Sequence, residues 1–236
     1  MKHSRGYALG SIVVADPVVS LSRALTKLAD PERAFAMSAY MRDQFAFLGV
    51  PTPERRKVCF EVVHASDLTM LFDEADALFR KKEREYHYCA CDVLAKVVGR
   101  RPSVVIDQAL KRCETLITTN SWWDTVDTLA PKVAGGILRG HAAEIQRWTK
   151  RWIESNDIWL QRSAIILQLH YKTDTDLSVL FDRILRRADS KEFFVQKGAG
   201  WALREHSKID PKAIRAFINA NPHLSALTKR EGGKYC

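Results

Sequence analysis

A chain of 236 residues, 46% apolar and 9% aromatic, is long enough for one well-buried domain and has the composition of an ordinary globular protein. Its net charge of +9 and pI near 9.4 suit either solubility alone or a nucleic-acid partner, since neutralising phosphates releases counterions. Five cysteines without paired spacing argue against a disulfide framework, no His/Cys cluster has zinc-site spacing, and no apolar run approaches the length that spans a bilayer.

The first residues, "MKHSRGYALGSIVVADPVVS", combine basic side chains with a short apolar run that Asp16 and Pro17 interrupt, and no small-residue cleavage site follows. They read as a loosely ordered leader over 1–18 ahead of a single domain over 19–236, in a cytoplasmic protein. Glycine and proline are scarce, 11 and 8 residues, which implies long elements and short connections. Strand-like alternation is missing, and helical periodicity predicts helices over 19–29, 31–48, 53–65, 67–80, 83–98, 102–118, 122–138, 142–154, 157–171, 175–188, 191–208 and 211–220. Asp30-Pro31-Glu32, Thr52-Pro53-Glu54 and Asp210-Pro211 each read as a cap followed by proline at the first helical position. The short loops make neighbouring helices antiparallel.

An internal period runs through this series. Tyr86/His87, Trp123, Trp159 and Phe194 each stand near the start of a helix, at intervals in the mid-thirties. Two helices per such unit is the pattern of an all-α fold, an α-solenoid of stacked helix pairs with a groove along its concave face.

The segment "TTNSWWDTVDTLAP" (118–131) carries the densest signal. Ser121 reads as an N-cap, with Asp124 three residues on completing a capping box. Trp122, Val126 and Leu129 form one apolar stripe suited to a core. Trp123 and Asp127, at i and i+4, share another face, where a groove-filling tryptophan and a solvated or salt-bridged aspartate are the plain structural readings and a functional pair is the alternative. In "SNDIWLQRSAIILQLHYK" (155–172), Trp159 and Arg162 lie at i and i+3; in "SKEFFVQKGAGWALREH" (190–206), Phe194, Lys197, Trp201 and Arg204 recur along one face, alternating aromatic with basic. Gly198 and Gly200 beside them allow either tight helix packing or close approach of a ligand backbone. Stacked, these units line a groove suited to phosphates and to aromatic stacking or cation–π contact. A lone carboxylate there repels phosphate and is better explained by chemistry that develops positive charge.

At these residues the chain resembles the AlkD-like alkylpurine DNA glycosylases, the DNA alkylation repair enzymes. The resemblance runs from "AYMRDQFAFLGVPTPERR" (39–56) through the three segments above to "LSALTKREGGKYC" (224–236). It implies HEAT-like repeats with a basic concave face for duplex DNA, and a metal-independent monofunctional enzyme that works without a cofactor, as a monomer and away from membranes. Such an enzyme hydrolyses the N-glycosidic bond of positively charged N3- or N7-alkylated purines. By motif the resemblance makes Asp127, Trp123 and Trp201 catalytic, Arg162 a backbone-contacting arginine and Tyr40 an aromatic near the lesion. Lys197, Arg204 and Trp159 join them as DNA-binding candidates from the groove pattern. The alternative is a non-catalytic helical-repeat module that binds DNA or a protein on the same groove.

Overall fold

The structure, a computed structural model, describes residues 16–63, 67–100 and 104–236. Among these residues the chain is helical, apart from one isolated β-bridge between Ala46 and Glu83. The predicted leader falls mostly on residues 1–15, which lie outside the described part, as do residues 64–65 and 102–103 of two predicted helices.

Helix α1 (Pro17–Thr26) starts inside the expected leader, because the Asp16 carboxylate accepts the Val18 N–H at 2.8 Å and Pro17 takes the first turn. Helix α2 (Pro31–Tyr40) starts the same way at Asp30, but it ends eight residues before the predicted boundary at 48. Arg42 and Asp43 both adopt left-handed conformations, and the chain returns beneath α2. The reason is distant in sequence. Glu85 is fully buried, and its carboxylate accepts the backbone N–H groups of Leu48, Gly49 and Val50 at 3.0, 2.8 and 3.2 Å. A helix through 48 would leave that carboxylate without donors. Gly49 completes the turn at φ +85°, where a Cβ would stand 2.1 Å from the Asp30 carbonyl oxygen.

Helix α3 (Thr52–Val62) begins one residue earlier than expected, with Pro51 at the N-cap. Helices α4 (Leu68–Phe79), α5 (Arg84–Val98) and α6 (Ile106–Thr118) follow the predicted pattern. The predicted helix 122–138 is three pieces: α7 (Trp123–Thr128), a π-helical turn over Leu129–Ala134, and α8 (Gly135–Leu138). Pro131 lies in the π turn, where its missing N–H and its ring break the regular hydrogen-bond ladder. Helices α9 (Ala142–Ile153), α10 (Ile158–Ile166), α11 (Leu177–Leu185), α12 (Phe193–Ser207) and α13 (Pro211–Ala220) complete the predicted set, α10 ending five residues early. A last helix, α14 (Ala226–Gly232), was not anticipated; Ser225 caps it through the Thr228 N–H at 3.0 Å.

The mid-thirties period is visible as bonds between successive units. Arg112 pairs with Asp76, Arg151 with Glu114, Arg162 with Asp127, and the Tyr171 hydroxyl donates to the Gly135 carbonyl. Each bond joins residues 35 to 37 positions apart. Such stacking of like units is what an α-solenoid requires. Its core is continuous and includes the fully buried Trp148 and Trp152 of α9.

Candidate functional site

The start of α7 departs from the capping box read in the sequence. Trp122 is the N-cap, extended at φ −159° and ψ 162°, and Ser121 Oγ donates backwards to the Ile117 carbonyl at 2.8 Å. Asp124 is structural, but through another partner. Its carboxylate takes two N–H groups of the fully buried Arg84, at 2.9 and 2.6 Å, and the Tyr88 hydroxyl at 2.6 Å. A guanidinium out of water needs a carboxylate more than an accessible helix end does. Burial and the Asp124 charge push the Tyr88 phenol far above its usual range. His87 beside them has its pKa lowered to about 4, by burial first and then by Arg84, so its ring is neutral at physiological pH.

Val126 and Leu129 are buried as the apolar stripe predicted, but Trp122 is not part of that core. It is half-buried and lines a cleft of about 460 Å³, packed on Trp159 and Phe194 at ring separations of 5.6 and 5.1 Å. Because α7 starts at Trp123, Trp122 is extended and lies off the helical face that its spacing assigned to it.

The cleft gathers α7, α10, α12 and the end of α2. Asp127, one turn after Trp123, accepts Arg162 Nε and Nη2 at 2.8 Å each, a bidentate pair. Arg162 Nη1 donates to the Phe194 carbonyl at 2.6 Å, in the first turn of α12. Three of the five guanidinium N–H donors are therefore used inside the protein, and Arg162 is 3% exposed. The guanidinium, which the resemblance makes a DNA-backbone contact, still lines the cleft. Its geometry is that of a group that aims Asp127. Burial, the largest cause, raises the Asp127 pKa above the ordinary carboxylate value; Arg162 opposes it and the Asp124 charge adds to it.

Gly198 decides whether Arg162 fits. A Cβ there would lie 3.0 Å from Arg162 Nη1 and 3.3 Å from its Cγ. Gly198→Ala therefore moves a side chain pinned at both ends, although alanine favours the helix by about 0.5–1 kcal/mol. We expect the melting temperature to hold or rise while any Asp127-dependent reaction slows about tenfold, the scale of a few tenths of an ångström of misplacement. Parallel melting and activity measurements on this variant check the opposed signs.

Trp123 and Trp201 are half-buried and both line the cleft. Trp201 lies under the Arg162 guanidinium, 5.9 Å from carbon to ring centre. Tyr40, 73% exposed, sets its ring edge-on to Trp123 at 6.3 Å. Lys197 and Arg204 line the C-terminal wall. Trp159 does not reach the cleft: it is 8% exposed and backs Trp122 and Phe194, because its indole follows the core side of α10. The sequence reading missed Arg42, Phe193 and Trp122 as lining residues. Phe193, 54% exposed beside Phe194, had a signal in the doubled "FF", whereas Arg42 reaches the cleft through a left-handed turn that no periodicity encodes.

The fold and cleft define a class: a helical-repeat protein with an aromatic and cationic cleft built around one carboxylate. The sequence matches the family described as DNA alkylation repair enzyme over residues 21–236, and the chain belongs to that family. Among solved structures it is similar to a predicted DNA alkylation repair enzyme from Enterococcus faecalis, at 33% identity and a TM-score of 0.79, covering 88% of this chain and 96% of that one. No curated protein matches the chain.

Proposed function

We propose that the cleft is the active site of a DNA glycosylase that releases positively charged N3- and N7-alkylated purines from duplex DNA, leaving an abasic site. The observation that carries this reading is Asp127, held by a bidentate Arg162 in one cleft with the indoles of Trp123 and Trp201. An alkylated purine already bears the positive charge that makes it a leaving group, so neither an acid nor a metal is needed to expel it. The bond breaks toward an oxocarbenium-like sugar, as in glycoside hydrolysis. Asp127 stabilises that cation and positions the attacking water. Arg162 opposes protonation of the buried carboxylate and fixes its direction. The two indole faces attract the cationic sugar or base, worth about 0.5–2 kcal/mol each.

Lys197, Arg204 and Arg42 supply cations for backbone phosphates, and Tyr40 and Phe193 offer exposed rings at the cleft. Trp123 and Tyr40 also line a neighbouring cleft where the buried Arg55 and the exposed Arg56 share the Asp92 carboxylate, leaving one net positive charge on that group. The rival, a non-catalytic binder, gives no reason for a carboxylate held by a buried arginine in one cleft with two indoles.

The purified protein is expected to release 7-methylguanine or 3-methyladenine from methylated duplex DNA at equal rates with and without EDTA, read by chromatography of the freed base. Binding to duplex without release of any base from a lesion panel would support the binder instead.

A further inference from the structure

The two cations on the C-terminal wall are already engaged. Lys197 Nζ lies 2.9 Å from Glu231 Oε1, and Arg204 Nη1 donates to Glu231 Oε2 at 2.7 Å, so a single carboxylate spans both. Glu231 sits on α14, and glycines build its position. A Cβ on Gly200 would stand 2.6 Å from the Glu231 Cβ, and one on Gly232 would stand 2.9 Å from the Leu203 Cβ. Alanine at either place would push α14 away from α12. The Lys197 hydrogen bond, with the charges of Lys197, Arg204 and Arg230, holds the Glu231 carboxyl below the usual carboxylate range, so it is ionised at neutral pH.

The consequence is a change in the charge of the site. Arg42, Arg162, Lys197 and Arg204 bring four cations to the cleft. Asp127 cancels Arg162, and Glu231 cancels one of the two cations it bridges, Lys197 and Arg204, of the three that remain. Asp127 has a role in the proposed chemistry. Glu231 has none there, and a carboxylate between two phosphate-binding groups lowers their attraction for DNA.

We propose that Glu231 is an internal competitor for DNA phosphate. In the free protein its carboxylate occupies donors of Lys197 and Arg204; a backbone phosphate must take them over, so undamaged DNA is held less tightly than the cations alone would hold it. This rests on the cleft being a DNA site. A loose hold on undamaged backbone lets a repair protein leave the many non-specific sites that compete with a lesion.

Fluorescence anisotropy with unmethylated duplex, across roughly 50–200 mM salt, tests the proposal on full-length wild type and Glu231→Gln. Glu231→Gln is expected to bind about tenfold tighter, with a log K against log salt slope steeper by about one, because no displaced carboxylate takes up a cation when the phosphate arrives. Adding Lys197→Gln should return both quantities to wild-type values. Glu231→Asp, which keeps the charge, should bind as wild type does and exposes any general loss of fold. Weaker binding or an unchanged slope in Glu231→Gln overturns the competitor and makes Glu231 a group that orients the cations. Failure of both proteins to bind duplex overturns the DNA reading as well, whereas the glycosylase reading is decided separately by base release.

Discussion

Asp127→Asn is expected to slow base release from methylated duplex by about 10²–10³-fold, the cost of removing one preorganised electrostatic stabiliser, while DNA binding is kept. The substitution is nearly isosteric and removes one negative charge from the proposed DNA cleft, so affinity for undamaged duplex should hold or tighten. Single-turnover release together with anisotropy separates the two effects. Release at the wild-type rate would remove Asp127 from the mechanism and leave it as a salt-bridge residue. The pH dependence carries the same information. Because the Asp127 pKa is raised above its ordinary value, release should fall as pH drops through that raised value, at a higher pH than an exposed aspartate, near 3.9, would give. Stability runs the other way: a carboxyl whose folded pKa is raised favours the folded state below its unfolded pKa, and that contribution is lost as pH rises through the folded value. Asp127→Asn should flatten both dependences.

Arg162→Ala is the second large effect, and here stability suffers as much as activity. Removing one partner of a buried pair leaves an uncompensated charge, at about 3–5 kcal/mol. Arg162 is almost wholly buried and also satisfies the Phe194 carbonyl. With the arginine gone, only the causes that raise the Asp127 pKa remain, namely burial and the Asp124 charge. The acid limb of base release should therefore move to higher pH. Denaturant unfolding and a pH–rate profile measure the two consequences. The double variant Arg162→Ala/Asp127→Asn should be more stable than Arg162→Ala alone, since it removes the orphaned charge. If the double variant loses the sum of the two single losses, the pair is not coupled and Arg162 does not act through Asp127.

Much of the site was legible because helical spacing is local. Trp123 and Asp127 share a face by the i, i+4 rule, and the Phe194–Lys197–Trp201–Arg204 series declares itself as a non-core stripe on α12. The errors came where a distant partner overruled a local preference. Ser121 and Asp124 have capping-box spacing, but a buried Arg84 forty residues earlier claims the aspartate. Trp159 has the right period for the groove and faces the core. Gly198 and Gly200 were ambiguous between packing and ligand approach; their Cβ positions point at Arg162 and at Glu231, so both serve packing, and through it the cleft.

By itself the sequence determined the helical class, the mid-thirties repeat, the basic charge and the cluster of residues worth suspecting, because periodicity, capping and composition depend on neighbours a few positions away. Only the tertiary structure decided that α2 stops at Tyr40, that Arg162 turns inward to hold Asp127, and that Glu231 reaches back across α12 to Lys197 and Arg204. Each of these is an electrostatic choice among groups 27 to 37 residues apart, made when a charge or a backbone amide finds its nearest partner on another element of the fold.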